Sequence, residues 1–323
     1  MEWQDDDSLA WDARGWIQDF QEAAFESDHE IIHELRIAVY EHTLRLVAAG
    51  CMKLDDGREL ELPLRGALAD ETVLYDAPPR IAAAANRTGA MQVRVVAGDT
   101  LEVAKELVKA GLDPLVLNMA NRHNPGGGVV EGAGAQEEYL FRCSDYYRSL
   151  YQFTDYALEY GVQPHPTHRY PLNRETGGVY SPGVTIFRAS EAMGYQLIEQ
   201  PWQVSFVAVA AINRPRLVTS PDSHLKLDRP FVEPTRQKIR TIFRIAVAHG
   251  HRNLVLGAFG CGAFCNPPAH MAQLFHEVLR EDEFHSCFDQ VVFAIRDDHN
   301  SYKWCNPEGN LVPFQREFSE DSR

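Results

Sequence analysis

The chain is short of positive charge. Its 323 residues include 31 lysines and arginines against 46 aspartates and glutamates, for a formal net charge of −15. General nucleic-acid binding, which needs a basic face, is disfavoured. A polyanion could still enter a local pocket built from backbone N–H groups and a few arginines. Long apolar runs are also missing, and none approaches the roughly 18 residues that mark a membrane span. The N-terminus, MEWQDDDSLAWD, is acidic where a secretory leader would be basic and then apolar. Six cysteines scattered over the chain make no disulfide framework. Cys261 and Cys265 are spaced like half of a zinc site, but no second pair matches, so reduced, buried thiols are expected. These absences leave a cytoplasmic protein, expected as a monomer, with no membrane partner. Its 45% hydrophobic content supports a folded core. The length suits either a large domain with an accessory segment or two domains.

The stretch richest in signals runs from Leu115 to Leu150. Leu115 to Leu117 is apolar and short enough for one buried strand. Asn118 and Asn121 follow, then Pro125 and the triple glycine Gly126, Gly127 and Gly128. Gly132 and Gly134 predict a loose connection. Gln136, Glu137 and Glu138 then open a segment of helical periodicity through Leu140, Phe141, Tyr147 and Leu150. Strand, glycine loop and helix start together present backbone N–H groups to a phosphate or a sugar. Two carboxylates at that helix start are unwelcome to phosphate, yet suited to handling protons and hydroxyls. In an arbitrary protein they would be solvated first-turn acids favoured by the helix dipole. Their position directly after a triple-glycine loop argues against that.

The flanking chain alternates strands and helices. Residues 1 to 30 carry Trp3, Trp11 and Trp16 and predict an arm or short helix. Apolar spacing from Ile31 through Val47 predicts a helix stopped by Gly50, and Leu54 to Pro63 a hairpin around Asp56-Gly57. Residues 64 to 90 read as a connector, alanine-rich near its end, and residues 1–90 as an accessory segment packed on a catalytic domain of 91–323. Gln92 to Gly111 is a strand and a helix, with Thr100 as candidate cap and Asp99 as cap or ligand contact. Gln163 to Tyr180 is irregular, and its His165 and His168 belong to a solvent loop. Ser181 to Arg188 is a strand, and Tyr180 and Arg188 are candidates to face a site. Val204 to Ile212 suits a central strand, Thr235 to His249 a helix, and Asn253 to Pro268 a buried strand entering a second glycine loop. Val291 to Ile295 is a last strand before a polar tail. The alternation is that of an α/β fold. Both glycine loops follow strands, and ligands of open α/β sheets bind beyond the strands' carboxyl ends.

At GGG-x7-QEE the chain resembles the bacterial-type poly(ADP-ribose) glycohydrolases, whose catalytic domain is a macrodomain. The MAN of Met119–Asn121 sits where that family has its ribose-contacting asparagine, with Arg122 to Pro125 forming a slightly long spacer. Gly98-Asp99-Thr100 is similar to the macrodomain turn whose aspartate binds the adenine amino group. GAFGCGAF resembles the diphosphate loop. The resemblance covers roughly Gln92 to Ile295 and implies a macrodomain-like three-layer α/β/α sandwich. Its sheet would be mixed and mostly parallel, with an N-terminal helical extension.

The resemblance also implies roles. Gly126, Gly127, Gly128 and Gln136 would line the substrate, and Gly260, Cys261, Gly262 and Ala263 would offer backbone to the diphosphate. Phe264 would stack on the neighbouring ribose. Glycosidases commonly flank the bond with two carboxylates about 5–10 Å apart. Adjacent helical residues diverge by about 100°, so Glu137 and Glu138 are expected to divide the work. Glu138 resembles the acid that protonates the departing ribose oxygen and then deprotonates water, and Glu137 the carboxylate on the ribose hydroxyls. The scheme needs no metal and no cofactor. The implied substrate is poly(ADP-ribose) or an ADP-ribosylated protein, and the product ADP-ribose. A mono-ADP-ribosyl-protein hydrolase and a non-catalytic ADP-ribose reader are the alternatives.

Overall fold

A computed structural model describes residues 9–81, 91–220 and 224–319. Trp3, Asp5–Asp7 and the alanine-rich end of the connector lie outside the described residues. In chain order the elements are α1 (Ala13–Glu26), α2 (His29–Ala49), β1 (Cys51–Lys53), β2 (Glu59–Glu61), α3 (Leu68–Glu71), β3 (Val73–Tyr75), β4 (Gln92–Ala97), α4 (Thr100–Lys109) and β5 (Pro114–Met119). Then come α5 (Gln136–Cys143), α6 (Tyr147–Leu150), β6 (Gly178–Arg188), β7 (Leu197–Val209), β8 (Leu217–Thr219), β9 (Leu225–Leu227) and α7 (Arg229–Ala248). The chain ends with β10 (Asn253–Leu256), α8 (Pro268–Leu279), β11 (Gln290–Ile295) and α9 (Leu311–Ser319).

Contacts divide the chain into two compact units, neither continuous in sequence. The first holds Met1–Thr72, His123–Pro171 and Ser181–Val204, and the second Val73–Arg122, Leu172–Tyr180 and Ser205–Arg323. The described part of the expected accessory segment is therefore shared between them.

A mixed, mostly parallel sheet has strand order β3-β6-β7-β5-β10-β11-β4, and the second unit holds β3, β4, β5, β10, β11 and residues 178–180 of β6 and 205–209 of β7. β3 runs antiparallel to β6, and β7, β5, β10, β11 and β4 are mutually parallel. Strand alternation sorts the core into two faces. Leu115, Leu117, Val207, Val209, Leu254 and Leu256 pack with Ile239, Ile242 and Phe243 of α7 and Met271 and Phe275 of α8. Val116, Val255 and Val292 point the other way and are equally buried, on the face where α4 packs against β5, β10 and β11. These three layers fulfil the expected α/β fold. The carboxyl ends of β4, β5 and β10 share one edge, so Asp99, Asn121 and the 257–266 loop all belong to it.

Two details differ from expectation here. Asp99, rather than Thr100, caps α4: its Oδ1 accepts the Leu101 and Glu102 N–H groups at 2.9 and 3.3 Å. The tail is not merely polar, because Phe314 and Phe318 of α9 close the core beside Phe293.

The first unit is organised by α2. Asp28 caps its start and Gly50, at φ +69°, ends it. Its buried face, Leu35, Val39, Tyr40 and Leu46, carries contacts to α5 and to the short turn at Val129–Glu131. Beyond Glu138 the expected helix breaks. α5 stops at Cys143, Ser144 turns to φ −152°, and its hydroxyl donates to the Leu140 carbonyl. Asp145 then accepts the Thr185 N–H and the Arg148 guanidinium. Local hydrogen bonding by short polar side chains thus outcompetes helix continuation.

Candidate active site

Within the first unit the triple glycine and the glutamate pair form one structure. Gln136, Glu137 and Glu138 are the first three residues of α5, and no side chain caps that helix start. Both glutamates are buried, so they are not solvated first-turn acids. They do not diverge either. Each folds back on the loop: Gly126 N–H donates to Glu137 Oε1 at 3.1 Å and Gly128 N–H to Glu138 Oε1 at 2.9 Å. Gly127 is threaded between the two, at φ +57°. A methyl group on it would overlap Glu138 Oε1 and stand 3.4 Å from Glu137 Oε2. The glycines are therefore required for clearance as well as for flexibility. A Cβ on Gly126, at φ +83°, would meet the Phe141 ring at 2.7 Å.

The second oxygen of Glu138, Oε2, is buried and has no hydrogen-bond partner among the described residues. A buried polar atom left unmatched is costly and rare, and it points to a missing ligand group or water. The Tyr170 hydroxyl is in the same condition. Burial and then the charge of Glu137 push that phenol well above its usual range.

Gly132 and Gly134 are not loose spacers. A Cβ on Gly132 would strike the His33 backbone of α2, and one on Gly134 the Arg36 guanidinium. Arg36 pairs with Glu191 at 2.9 Å, Glu191 accepts from the Tyr195 hydroxyl, and Tyr195 accepts from buried Arg142. Arg142 also donates to the Ala133 carbonyl at 2.8 Å. Burial pushes the Glu191 carboxyl up, but Arg36 and Arg142 hold it below its ordinary range. Thr43 of α2 donates to the Arg142 carbonyl and accepts from Arg188. The glycine loop and α5 are thereby bolted to α2.

Arg188 is consequently a core residue and not a site residue: its guanidinium also reaches the Tyr195 carbonyl and His42. Burial lowers it to about 9. Tyr180, in the second unit, is spent on His251 at 2.9 Å and stacks on His249, so it too leaves the list of candidates. His165 and His168 lie in an irregular loop with exposed neighbours, as expected, and each is itself half-buried. His165 packs on Phe153, and its Nδ1 accepts the Thr167 and His168 N–H groups.

The second unit carries Asp99, Asn121 and the second glycine loop. Asn121 lies two residues past β5 and is half-buried. In the loop, Cys261 departs from expectation. Its N–H donates to Ala258 at 3.0 Å and its carbonyl accepts from Asn306, so that amide is used internally. No hydrogen bond holds the amides of Gly260, Gly262, Ala263 and Phe264 among the described residues. Phe264 is half-buried, not a core residue. Asn266 shapes the loop, its amide donating to the carbonyls of Ile212, Gly260 and Phe264. Cys261 and Cys265 are buried free thiols.

Residues 40–189 match the family model of the microbial-type PARG catalytic domain. That span holds the first glycine loop, both glutamates and the C-terminal half of α2. The poly(ADP-ribose) glycohydrolase of Thermomonospora curvata is 28% identical, with a TM-score of 0.68 over 88% of this chain and 99% of that one. The same protein bound to the inhibitor ADP-HPD gives a TM-score of 0.67. The Deinococcus radiodurans enzyme in complex with ADP-ribose is also 28% identical, with a TM-score of 0.59 over 81% of this chain and 99% of that one. No curated protein matches. The chain is thus similar to the bacterial-type PARGs, in sequence over residues 40–189 and in fold over most of its length.

The residues of this site that the sequence does not signal are mostly supports. Arg36, Arg142 and the Glu191–Tyr195 pair lie far apart in the chain and carry no local motif. Asn266 had a weak signal, a polar residue just before Pro267-Pro268 at a helix start. Tyr170 had none.

Proposed function

We infer that this chain hydrolyses the ribose–ribose O-glycosidic bond of poly(ADP-ribose) and releases ADP-ribose. The match to the family model and the likeness to the two bacterial glycohydrolases support the reaction, and the Glu138 carboxylate supports the way it is carried out. One oxygen is pinned by the Gly128 N–H while the other is buried and unmatched, the arrangement of a group waiting for a ligand oxygen. Glu138 protonates the departing ribose oxygen as the anomeric carbon gains oxocarbenium character. The carboxylate then takes a proton from the incoming water. Glu137, anchored on Gly126, accepts hydrogen bonds from the hydroxyls of the reacting ribose. Asn121 contacts that ribose. Asp99 takes the adenine amino group, and the open amides of the second glycine loop take the diphosphate, where fixed N–H donors suit an anion. Phe264 stacks on the ribose beside it.

Glu138→Gln tests the assignment. Glutamine keeps the size and can still accept from Gly128, so folding and ADP-ribose affinity stay close to wild type. It cannot deliver a proton, and general acid–base catalysis contributes typically ~10²–10⁴-fold, so ADP-ribose release from polymer falls by that much. Glu137→Gln leaves a measurable residual rate. Near-normal turnover by Glu138→Gln beside an inactive Glu137→Gln would reverse the two roles.

A further inference from the structure

The second unit contains a cleft of about 510 Å³ whose walls include Arg214, Ala263, Cys265, Asn300, Lys303 and Trp304. Neither Asp99 nor Asn121 lines it. It borders the second glycine loop only at Ala263 and Cys265. Three properties set it apart.

The first is charge. In this acidic chain arginine after arginine is paired: Arg216, Arg236, Arg240, Arg244 and Arg252 of this unit all sit on carboxylates. Arg214 is exposed and has no carboxylate partner among the described residues. Lys303 Nζ donates to the neutral Asn300 amide oxygen at 2.8 Å, and no carboxylate among the described residues pairs with it. Two uncompensated cations therefore line one cleft. The second is Trp304, a residue 68% exposed. An apolar ring of that size left in water beside cations is a stacking surface.

The third is preorganisation. Of six non-glycine residues with left-handed backbone among the described residues, Arg214 and Cys265 line the cleft and Tyr302 adjoins it. Such conformations cost free energy and persist where surrounding structure enforces them. Here Arg214 N–H donates to the Phe264 carbonyl, and Asn306 holds the carbonyls of Cys261 and Asn300. These hydrogen bonds tie the walls of the cleft together.

We propose that this cleft is a second nucleotide subsite, which takes an adenosine-phosphate portion of a further ADP-ribose unit of the polymer. The purine stacks on Trp304, and Arg214 and Lys303 neutralise its phosphates. The proposal rests on the poly(ADP-ribose) reading above. A site of this kind lets the enzyme hold long polymer more tightly than its own product, which would otherwise compete for the catalytic cleft.

The test compares binding of ADP-ribose with binding of a defined ADP-ribose oligomer, in the Glu138→Gln background, with released ADP-ribose followed in the same sample. The oligomer is expected to bind more tightly than ADP-ribose. Trp304→Ala is expected to lower oligomer affinity by roughly tenfold or more, the usual loss of a base–aromatic stack. Arg214→Ala with Lys303→Ala should do the same and flatten the dependence of log affinity on log salt by about 1.4, as for two phosphate contacts on a single strand. None of these variants should change ADP-ribose affinity. Unchanged oligomer affinity in all variants overturns the subsite. Equal loss of ADP-ribose affinity overturns its separateness. Displacement of the oligomer by single-stranded RNA at equal concentration overturns its specificity. Failure of the function itself reads out elsewhere, as absence of ADP-ribose release by the wild-type enzyme.

Discussion

Gly127→Ala separates the two demands that the triple-glycine loop meets. The residue has φ +57°, a backbone conformation that costs a non-glycine residue roughly 1–2 kcal/mol. Its added methyl would also overlap Glu138 Oε1 and come within 2.9 Å of the carboxyl carbon. The backbone is pinned on both sides by the Gly126 and Gly128 hydrogen bonds to the two glutamates, so the Glu138 carboxylate is the part that yields. Gly57→Ala is the matched control. It too has positive φ, +86°, but a Cβ there meets nothing within 4 Å. Urea unfolding is expected to show a similar loss for both variants, about 1–2 kcal/mol. ADP-ribose release from polymer is expected to stay near wild type for Gly57→Ala. For Gly127→Ala it should fall by ~10²-fold or more, the contribution of a displaced general acid. If folded Gly127→Ala turns over as fast as Gly57→Ala, the carboxylate position seen here does not govern the reaction.

Three further perturbations follow from the same coordinates. Asn121→Ala should lower turnover more than ADP-ribose affinity, because Asn121 is assigned to the reacting ribose alone; calorimetry showing a collapse of ADP-ribose binding would contradict that placement. Asp99→Ser preserves the cap on α4, since serine caps about as well as aspartate, but removes the carboxylate; ADP-ribose affinity should drop about 10–100-fold, as for a lost charged hydrogen bond, with the unfolding midpoint little changed. Asp145 gives a pH signature. Burial pushes its carboxyl up to about 6 against Arg148 and the Thr185 N–H. Between the unfolded value near 4 and about 6, the folded chain holds a proton that the unfolded chain has released. This group's contribution to stability is therefore present at low pH and is lost as pH rises through that window. Denaturant unfolding of Asp145→Asn between pH 4 and 7 should lack that fall, and an unchanged pH slope would refute the burial argument.

Much of the second unit was legible from local pattern. Continuous apolar runs such as Leu115–Leu117 and Asn253–Leu256 became parallel strands buried at every position, because a strand covered on both faces has no polar side to display. The helix from Ile31 and its Gly50 stop were equally readable, since periodicity and left-handed glycine are properties of neighbouring residues. The misreadings share a different cause. Arg188 and Tyr180 carry functional groups, and only their burial among Thr43, Tyr195 and His251 shows that those groups are already engaged. α9 was read as tail because its two anchoring phenylalanines gain meaning only against Phe293.

The sequence by itself determined the α/β alternation, the two glycine loops after their strands, and the pairing of a triple glycine with Gln136, Glu137 and Glu138. These are short-range facts, carried by spacing within one strand, turn and helix start. Tertiary structure alone decided that both glutamates fold back onto the glycines they follow, leaving one oxygen of Glu138 buried and unmatched. It alone decided that α2, some ninety residues upstream, is the support of that loop through Arg36, Thr43 and the backbone of His33. Hydrogen bonds between residues so distant in the chain depend on where packing brings them, and no local spacing encodes that.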